Sequence, residues 1–287
     1  MIIIESGNIL TVDEFIRLAF AEDTGDGDHT SLATIGENDE GLATVKIKED
    51  GIIAGVDLAV RVLQMTDATL KIDKKITDGS EVKIGDVALL IHGNVRSLLK
   101  AERLLLNCMQ RMSGIATLTN KFVKETEGTK SKILDTRKTT PNFRQFEKYA
   151  VKIGGGMNHR FGLYDMILIK DNHVDAAGGI TNALKRVSEY LKQTGKNLPV
   201  EIETRNIEEV KQVMEAGIAN RIMLDNFSPE LLMKAVQLIN GKYETEASGG
   251  ITMSNVRSYA LSGVDFISVG ALTHSYKSMD ISMKISK

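Results

Sequence analysis

From about residue 130 to residue 270 the chain alternates short apolar runs with longer amphipathic ones, and few folds tolerate that pattern. Strand-like runs fall at 133–135, 166–170, 200–203, 221–225, 243–247 and 266–269, with helix-like runs at 143–153, 180–194, 207–216, 229–240 and 254–261. Short continuous apolar runs read as strands buried on both faces. Their alternation with helices predicts a parallel sheet with right-handed crossovers. Six such units in roughly 150 residues are too few for an eight-stranded barrel. The spacing leaves two architectures open, a shortened barrel and an open doubly wound sheet.

Upstream the pattern changes. A helix is expected from Thr11 to Phe20 and another over 56–65. A half-exposed strand runs over 43–48, and shorter strands follow at 51–55, 70–72, 81–84 and 87–91, separated by turns at Asp78-Gly79 and Gly85-Asp86. The polar stretch 22–31 reads as a loop; its acids do not meet the spacing of a calcium-binding EF-hand. A strong helix spans 95–112, with Leu98, Ala101, Leu105, Cys108, Met109 and Met112 on one stripe. Arg96, Lys100, Arg103, Asn107 and Gln110 lie opposite, so Arg103 points away from its own core, either to solvent or to another subunit. The chain accordingly divides into an N-terminal α+β domain with linking helix (1–112), an α/β catalytic domain (113–273) and a C-terminal segment (274–287) expected to pack back on the first domain.

Composition excludes several classes of function. The 287 residues are 42% hydrophobic, enough for two domains. A formal net charge of −2 argues against nucleic acid as a partner. The single cysteine, Cys108, excludes a disulfide framework and a cysteine-based zinc site within one chain. No apolar run reaches the ~20 residues that span a bilayer, so no membrane association is expected. Residues 1–10 are too short, and lack the basic start, for a signal peptide; the expected compartment is the cytoplasm.

The ends of the predicted strands carry the functional argument. They deliver Asp135, Arg137 and Lys138; Lys170 and Asp171; Glu203; Asp225; Ser248-Gly249-Gly250; and Ser268 with Gly270-Ala271. One charged strand end is ordinary, because the chain must leave the core somewhere. Six polar or glycine-lined ends on one rim point to a site, since α/β barrels do their chemistry there. Between Arg137 and Arg160 lie six Lys or Arg (Arg137, Lys138, Arg144, Lys148, Lys152, Arg160) against one acid, Glu147. In a slightly acidic chain this concentrates a positive field that attracts an anion. Gly154-Gly155-Gly156 before Asn158-His159-Arg160 suits a loop wrapped closely on a ligand. Ser248-Gly249-Gly250 before a helix, with Gly270-Ala271 on the next strand, reads as a phosphate site. Neither a Walker A sequence nor a G-x-G-x-x-G opening a helix is present, which disfavours nucleoside triphosphates and dinucleotides.

The blocks DTRKTTP (135–141), GGGMNHRFGLYDMILIKDNHV (154–174), EIET (201–204), LDN (224–226), ASGGI (247–251) and SVGALTHS (268–275) resemble the quinolinate phosphoribosyltransferase family, the carboxylating nicotinate-nucleotide pyrophosphorylases. EDTGDGDHTS (22–31) and NCMQRMSGIAT (107–117) match as well, so the resemblance covers nearly the whole chain in order. One departure is Asn142-Phe143, where the family pattern has Gly-Leu.

The resemblance implies an α/β protein: a small open α+β N-terminal domain and an incomplete, about six-unit barrel of parallel strands. It implies transfer of phosphoribose from phosphoribosyl pyrophosphate to quinolinate with decarboxylation, giving nicotinate mononucleotide, pyrophosphate and CO2 for NAD biosynthesis. It also implies Mg²⁺ and a homodimer or larger homo-oligomer with shared sites. On that pattern Arg137, His159 and Arg160, with Arg103 from a neighbour and Thr136 beside them, take the quinolinate carboxylates. Lys138 and Lys170 span substrate carboxylate and pyrophosphate. Glu203 and Asp225 hold the ribose hydroxyls and the metal, and Ser248, Gly249, Gly250, Gly270 and Ala271 hold the 5′-phosphate. Lys138, Lys170, Glu203 and Asp225 are the expected catalytic residues. The rival readings are a sister phosphoribosyltransferase with a different acid, a Schiff-base lyase using Lys138 or Lys170, and a catalytically silent ligand-binding relative.

Overall fold

A computed structural model describes residues 10–286; the segment 1–9, most of the stretch assessed above as a signal peptide, lies outside the described residues. In chain order the elements are α1 (Val12–Thr24), α2 (His29–Thr34), β1 (Glu40–Ile47), β2 (Gly51–Ile52), α3 (Val56–Thr66), β3 (Lys71–Lys74), β4 (Glu81–Val82), β5 (Val87–Asn94) and α4 (Val95–Glu125). Then come β6 (Lys132–Leu134), α5 (Arg144–Ile153), β7 (Ile167–Ile169), α6 (Asp171–Ala177), α7 (Ile180–Thr194), β8 (Val200–Thr204), α8 (Ile207–Ala216) and β9 (Arg221–Asp225). The chain closes with α9 (Pro229–Ile239), β10 (Glu244–Ser248), α10 (Val256–Leu261), β11 (Phe266–Ser268), α11 (Ala271–His274) and β12 (Ile281–Ser286). Packing groups these into two compact units. One runs to Asn120 and takes in Thr139–Gly155 and the chain from Ser275 on; the other comprises Lys121–Lys138 and Gly156–His274.

The first unit is built on a four-stranded antiparallel sheet of order β12-β1-β5-β3, beside a two-stranded ribbon of β2 and β4. β1 alternates exposed and buried residues, as its sequence suggests, and sends Ala43, Val45 and Ile47 inward. Thr11 caps α1 with a complete capping box: its hydroxyl accepts the Glu14 N–H while the Glu14 carboxylate accepts the Thr11 N–H. The helix runs four residues past the expected end. The polar stretch 22–31 is shorter as a loop than expected, because Asp28 caps α2 and accepts the Ser31 N–H.

Two further differences have physical causes. α4 extends well beyond Met112, through Ser113-Gly114, although all six stripe residues are buried as expected. α5 sits by sequence between two barrel strands but packs within the first unit. There Phe146 packs at a tilt against Phe15 and Phe143, the Tyr149 hydroxyl donates to Asp78, and buried Glu147 accepts from Arg111 Nε at 3.0 Å and from the Thr140 N–H at 3.1 Å. A buried carboxylate is tolerable only when paired in this way.

The second unit holds the six expected strands in one parallel sheet of order β6-β11-β10-β9-β8-β7. β6 and β7 are the two edges and do not pair with each other. The sheet is therefore an incomplete barrel of six units, as expected. Met157 occupies the free edge of β6: its N–H donates to Ile133, and its carbonyl accepts from Asp135. Side chains alternate across the strands with period two. Ile202, Ile222, Leu224, Ala247 and Ile267 form one buried face, and Glu201, Glu203, Met223, Asp225, Glu246 and Ser268 share the other parity.

Gly114 shows why α4 continues through a residue of low helix propensity. A Cβ there would run into the Lys277 backbone carbonyl. Gly→Ala inside a helix normally gains up to about 1 kcal/mol. Here Gly114→Ala is expected to destabilise by roughly 1–3 kcal/mol, as overpacking does. Urea unfolding decides: a rise in stability would show that the close approach is not what requires glycine.

Candidate active site

The ends of the parallel strands enclose a cavity of about 700 Å³. Thirteen of the fourteen residues proposed from sequence to bind substrate line it: Thr136, Arg137, Lys138, His159, Arg160, Lys170, Glu203, Asp225, Ser248, Gly249, Gly250, Gly270 and Ala271. The fourteenth, Arg103, is exposed in the first unit, where it lines a smaller cavity with Phe15, Glu22, Asp23 and Arg111.

The cationic part of the cavity is set by loop geometry around β6. Thr136 and Lys138 follow the strand; the Thr136 hydroxyl accepts the Lys138 N–H at 3.1 Å, and the Lys138 carbonyl accepts from the Thr273 hydroxyl at 2.8 Å. Asp135 is buried and accepts the His159 N–H at 2.8 Å. This fixes the segment that carries His159 and Arg160. Arg160 donates to the Met166 carbonyl at 3.2 Å. Burial, followed by the nearby positive charge of Arg137, pulls the Arg160 pKa down. Two guanidinium groups repelling each other in a partly desolvated wall amount to stored affinity for an anion. Asn142, where the sequence departs from the family pattern, has φ of 61°. This is the left-handed region that glycine occupies freely and asparagine tolerates best among other residues, so the departure preserves the turn.

The anionic part comes from β8 and β9. Glu203 lies 3.4 Å from Lys170 Nζ and accepts the Asp171 N–H at 3.1 Å. Asp225 accepts from the Asn226 amide at 2.7 Å. Burial raises the Asp225 pKa, and the like charge of Glu203 raises it further. A carboxylate made harder to ionise by burial and by a neighbouring carboxylate fits a divalent cation, whose charge removes that cost.

The glycine loop after β10 differs from the expected phosphate site in one respect. α10 opens only at Val256, because residues 252–255 first make a turn in which Asn255 accepts the Thr252 N–H. The Gly250 N–H is thus not at a helix terminus. Gly249 has φ of 91° and lies so close to Asn226 that a Cβ would meet its side chain; Asn226 in turn donates its N–H to the Ser248 carbonyl at 2.8 Å. The loop still faces the cavity beside Gly270 and Ala271.

The sequence reading missed a buried polar cluster behind this wall. Glu201 and Glu246 are fully buried, with Oε2 atoms 3.0 and 3.5 Å from His159 Nε2. Arg221 donates to Glu246 at 3.0 Å and stacks 4.0 Å from the Phe266 ring. Burial is the main cause that raises both carboxyls, Glu201 to about 7 and Glu246 to about 8. The available signal was Glu-x-Glu at 201/203 and 244/246: period two puts the inner glutamate on the same face as the outer one.

Comparison with known proteins agrees with this architecture along nearly the whole chain. The profile for the quinolinate phosphoribosyl transferase N-terminal domain matches residues 28–113, and that for the C-terminal domain matches residues 115–284. A chloroplastic nicotinate-nucleotide pyrophosphorylase [carboxylating] from Arabidopsis thaliana is 50% identical over 94% of this chain and 81% of its own length. A probable nicotinate-nucleotide pyrophosphorylase [carboxylating] from Bacillus subtilis is 40% identical over 97% of this chain and 95% of its own. The solved nicotinate-nucleotide pyrophosphorylase from Francisella tularensis superposes with a TM-score of 0.90 at 40% identity, covering 98% of this chain and all of that one.

The Glu246 carboxyl makes stability depend on pH. Its pKa rises from an ordinary 4.5 to about 8 on folding, so the folded state holds this proton more tightly than the unfolded state. The resulting stabilisation is complete below about pH 4.5 and is lost as pH rises through about 8. Glu246→Gln removes that loss, so its stability relative to wild type should climb between pH 5 and pH 8. Parallel urea titrations check this, and a difference independent of pH would contradict the burial of an ionisable group there.

Proposed function

We infer that this chain, which belongs to the quinolinate phosphoribosyltransferase family, transfers phosphoribose from phosphoribosyl pyrophosphate to quinolinate with loss of CO2, forming nicotinate mononucleotide for NAD biosynthesis. The observation that carries the reading at the level of the site is the division of one cavity into a cationic wall and an anionic wall. Quinolinate is a dianion with adjacent carboxylates, and planar guanidinium groups grip carboxylates bidentately. Arg137 and Arg160 are assigned to this grip, with Thr136 and His159 shaping the same end. Lys138 and Lys170 reach from there toward the pyrophosphate.

The remaining chemistry calls for placement more than for reactive side chains. The pyridine nitrogen forms the new bond to the ribose anomeric carbon as the bond to pyrophosphate breaks, so no protein nucleophile is required. Glu203 and Asp225 are assigned to the ribose hydroxyls, where their charge favours the cationic character that builds on that carbon. The same two carboxylates would hold Mg²⁺, which supplies charge neutralisation to the departing pyrophosphate. Ser248, Gly249, Gly250, Gly270 and Ala271 are assigned to the 5′-phosphate. The rest of the rate enhancement is orientation.

The proposal extends to assembly and location. A homodimer or larger homo-oligomer is proposed, with Arg103 of one subunit completing a neighbour's quinolinate site; its exposure on α4 supports this. Among the described residues no helix is long and apolar enough to cross a membrane. The cytoplasm is proposed as the compartment, although the named Arabidopsis relative is chloroplastic.

Incubation with quinolinate, phosphoribosyl pyrophosphate and Mg²⁺ should yield nicotinate mononucleotide, and nicotinate should be a poor substrate because it leaves one set of cations unmatched. Equal efficiency with nicotinate would overturn the substrate assignment. The shared site has its own test. Arg103→Ala and Lys138→Ala should each be nearly inactive. After subunit exchange, verified by mass spectrometry of tagged chains, about half the dimers are mixed and each holds one intact site, so activity should return to roughly a quarter of wild type. No recovery despite exchange would return Arg103 to a solvated face.

A further inference from the structure

We propose that Glu201 and Glu246 are positioning residues for the acid substrate: they hold the His159 ring, and through it Arg160, against the cavity wall. The proposal rests on the quinolinate reading above and adds two side chains that do not grip the substrate. It starts from how the ring is held. His159 Nδ1 accepts the Arg160 N–H at 2.7 Å. A nitrogen that accepts carries no proton, so the proton of the neutral ring sits on Nε2. Nε2 in turn faces Glu201 Oε2 at 3.0 Å and Glu246 Oε2 at 3.5 Å. These are ion-pair distances without the alignment of full hydrogen bonds.

Each part of the cluster is fixed independently. Glu201 and Glu246 leave neighbouring regions of the barrel on β8 and β10, both facing inward by period two. Arg221, on β9 between them, donates to Glu246 and lies 4.0 Å from Glu201. The guanidinium supplies positive charge to whichever of the two buried carboxyls is ionised, so the cluster is closed by protein groups. His159, Glu201 and Glu246 also stand close enough together to ligate a metal, but Arg221 already occupies the electrostatic role that an ion would fill. His159 is 9% exposed and lines the cavity, with both ring nitrogens turned to protein groups. Its contribution to the acid substrate is therefore a fixed ring surface and a fixed Arg160 backbone. It supplies neither a second cation nor a general base.

Two measurements test this. The first needs no substrate: ¹⁵N spectroscopy of ring-labelled histidine, assigned with His159→Gln, should show His159 at pH 7 as a neutral ring with Nε2 protonated. A ring protonated on Nδ1, or on both nitrogens, would overturn the proposal. Zinc bound stoichiometrically to the purified protein and lost in Glu246→Leu would do the same. The second measurement is calorimetry on the folded variants. Glu246→Leu should weaken quinolinate binding roughly ten- to a hundred-fold, the scale expected when a substrate-positioning group shifts. Phosphoribosyl pyrophosphate affinity should stay within about two-fold of wild type, and Glu246→Gln, which keeps an acceptor at the same place, should recover most of the lost affinity. A residue with only a structural role would lower thermal stability and leave quinolinate affinity of the folded fraction unchanged, and that result would overturn the proposal. If Glu246→Leu does not fold, Glu201→Ala takes its place with the same readouts, and Glu201→Gln serves as its conservative control. If wild type itself fails to bind quinolinate, the substrate reading falls, while the spectroscopic result still decides how the ring is held.

Discussion

The structure depends on six strands running in the same direction. Parallel strands each bring their C-terminal end to one rim, and the period of two along each strand then decides which side chains enter the cavity. On β8, β9 and β10 Glu203, Met223, Asp225, Glu246 and Ser248 line the cavity, and Glu201 shares their parity one step deeper. The opposite parity is apolar, with Ile202, Ile222, Leu224 and Ala247 all buried. A slip of one residue in any strand would exchange these sets, putting carboxylates against the helices and isoleucines in the site. The apolar packing of one face thus enforces the register of the catalytic chemistry on the other.

That dependence explains what could be read without coordinates. The six strands, their order of appearance and most helices follow from apolar runs punctuated by Gly, Asn and Asp. The site residues that were legible, such as Lys170, Glu203 and Asp225, are those at strand ends, where a charge after an apolar run stands out. Glu201 and Glu246 were not legible as part of the site because they lie deeper in their strands, where charged residues are rare unless paired. Their partners His159 and Arg221 come from other elements, so nothing local announces the pairing. α4 was ended at Met112, the last residue of its apolar stripe; the helix runs on through Gly114, and only the approach of the Lys277 backbone reveals why glycine is there. α5 was read as a barrel helix because strict alternation puts one there, while its contacts through Phe146, Glu147 and Tyr149 hold it in the first unit.

Electrostatically, the cavity separates charges that would otherwise neutralise one another. The charge of Arg137 adds to burial in disfavouring the charge of Arg160, and the charge of Glu203 does the same to Asp225. Lys170 and Glu203 make an ion pair between the two groups at 3.4 Å, with the lysine half exposed, a contact worth little in water. A substrate with opposite charges at its two ends relieves like-charge crowding at both ends of the cavity when it enters.

The opening between β6 and β7 belongs to the same logic. A closed barrel would pair these two strands along their length and satisfy their backbone groups with a regular ladder. Here one bridge through Met157 and one side chain, Asp135, take over that edge of β6. The substitution leaves room for a segment in irregular conformation, and that segment carries His159 and Arg160 to the cavity wall. Regular strand backbone would present alternate residues to opposite faces, so two consecutive residues could not both be directed to the wall. Because the chain is irregular here, Arg160 can place its N–H on the His159 ring while both residues line the cavity. The missing pairing between β6 and β7 is therefore what allows the cationic wall to be built.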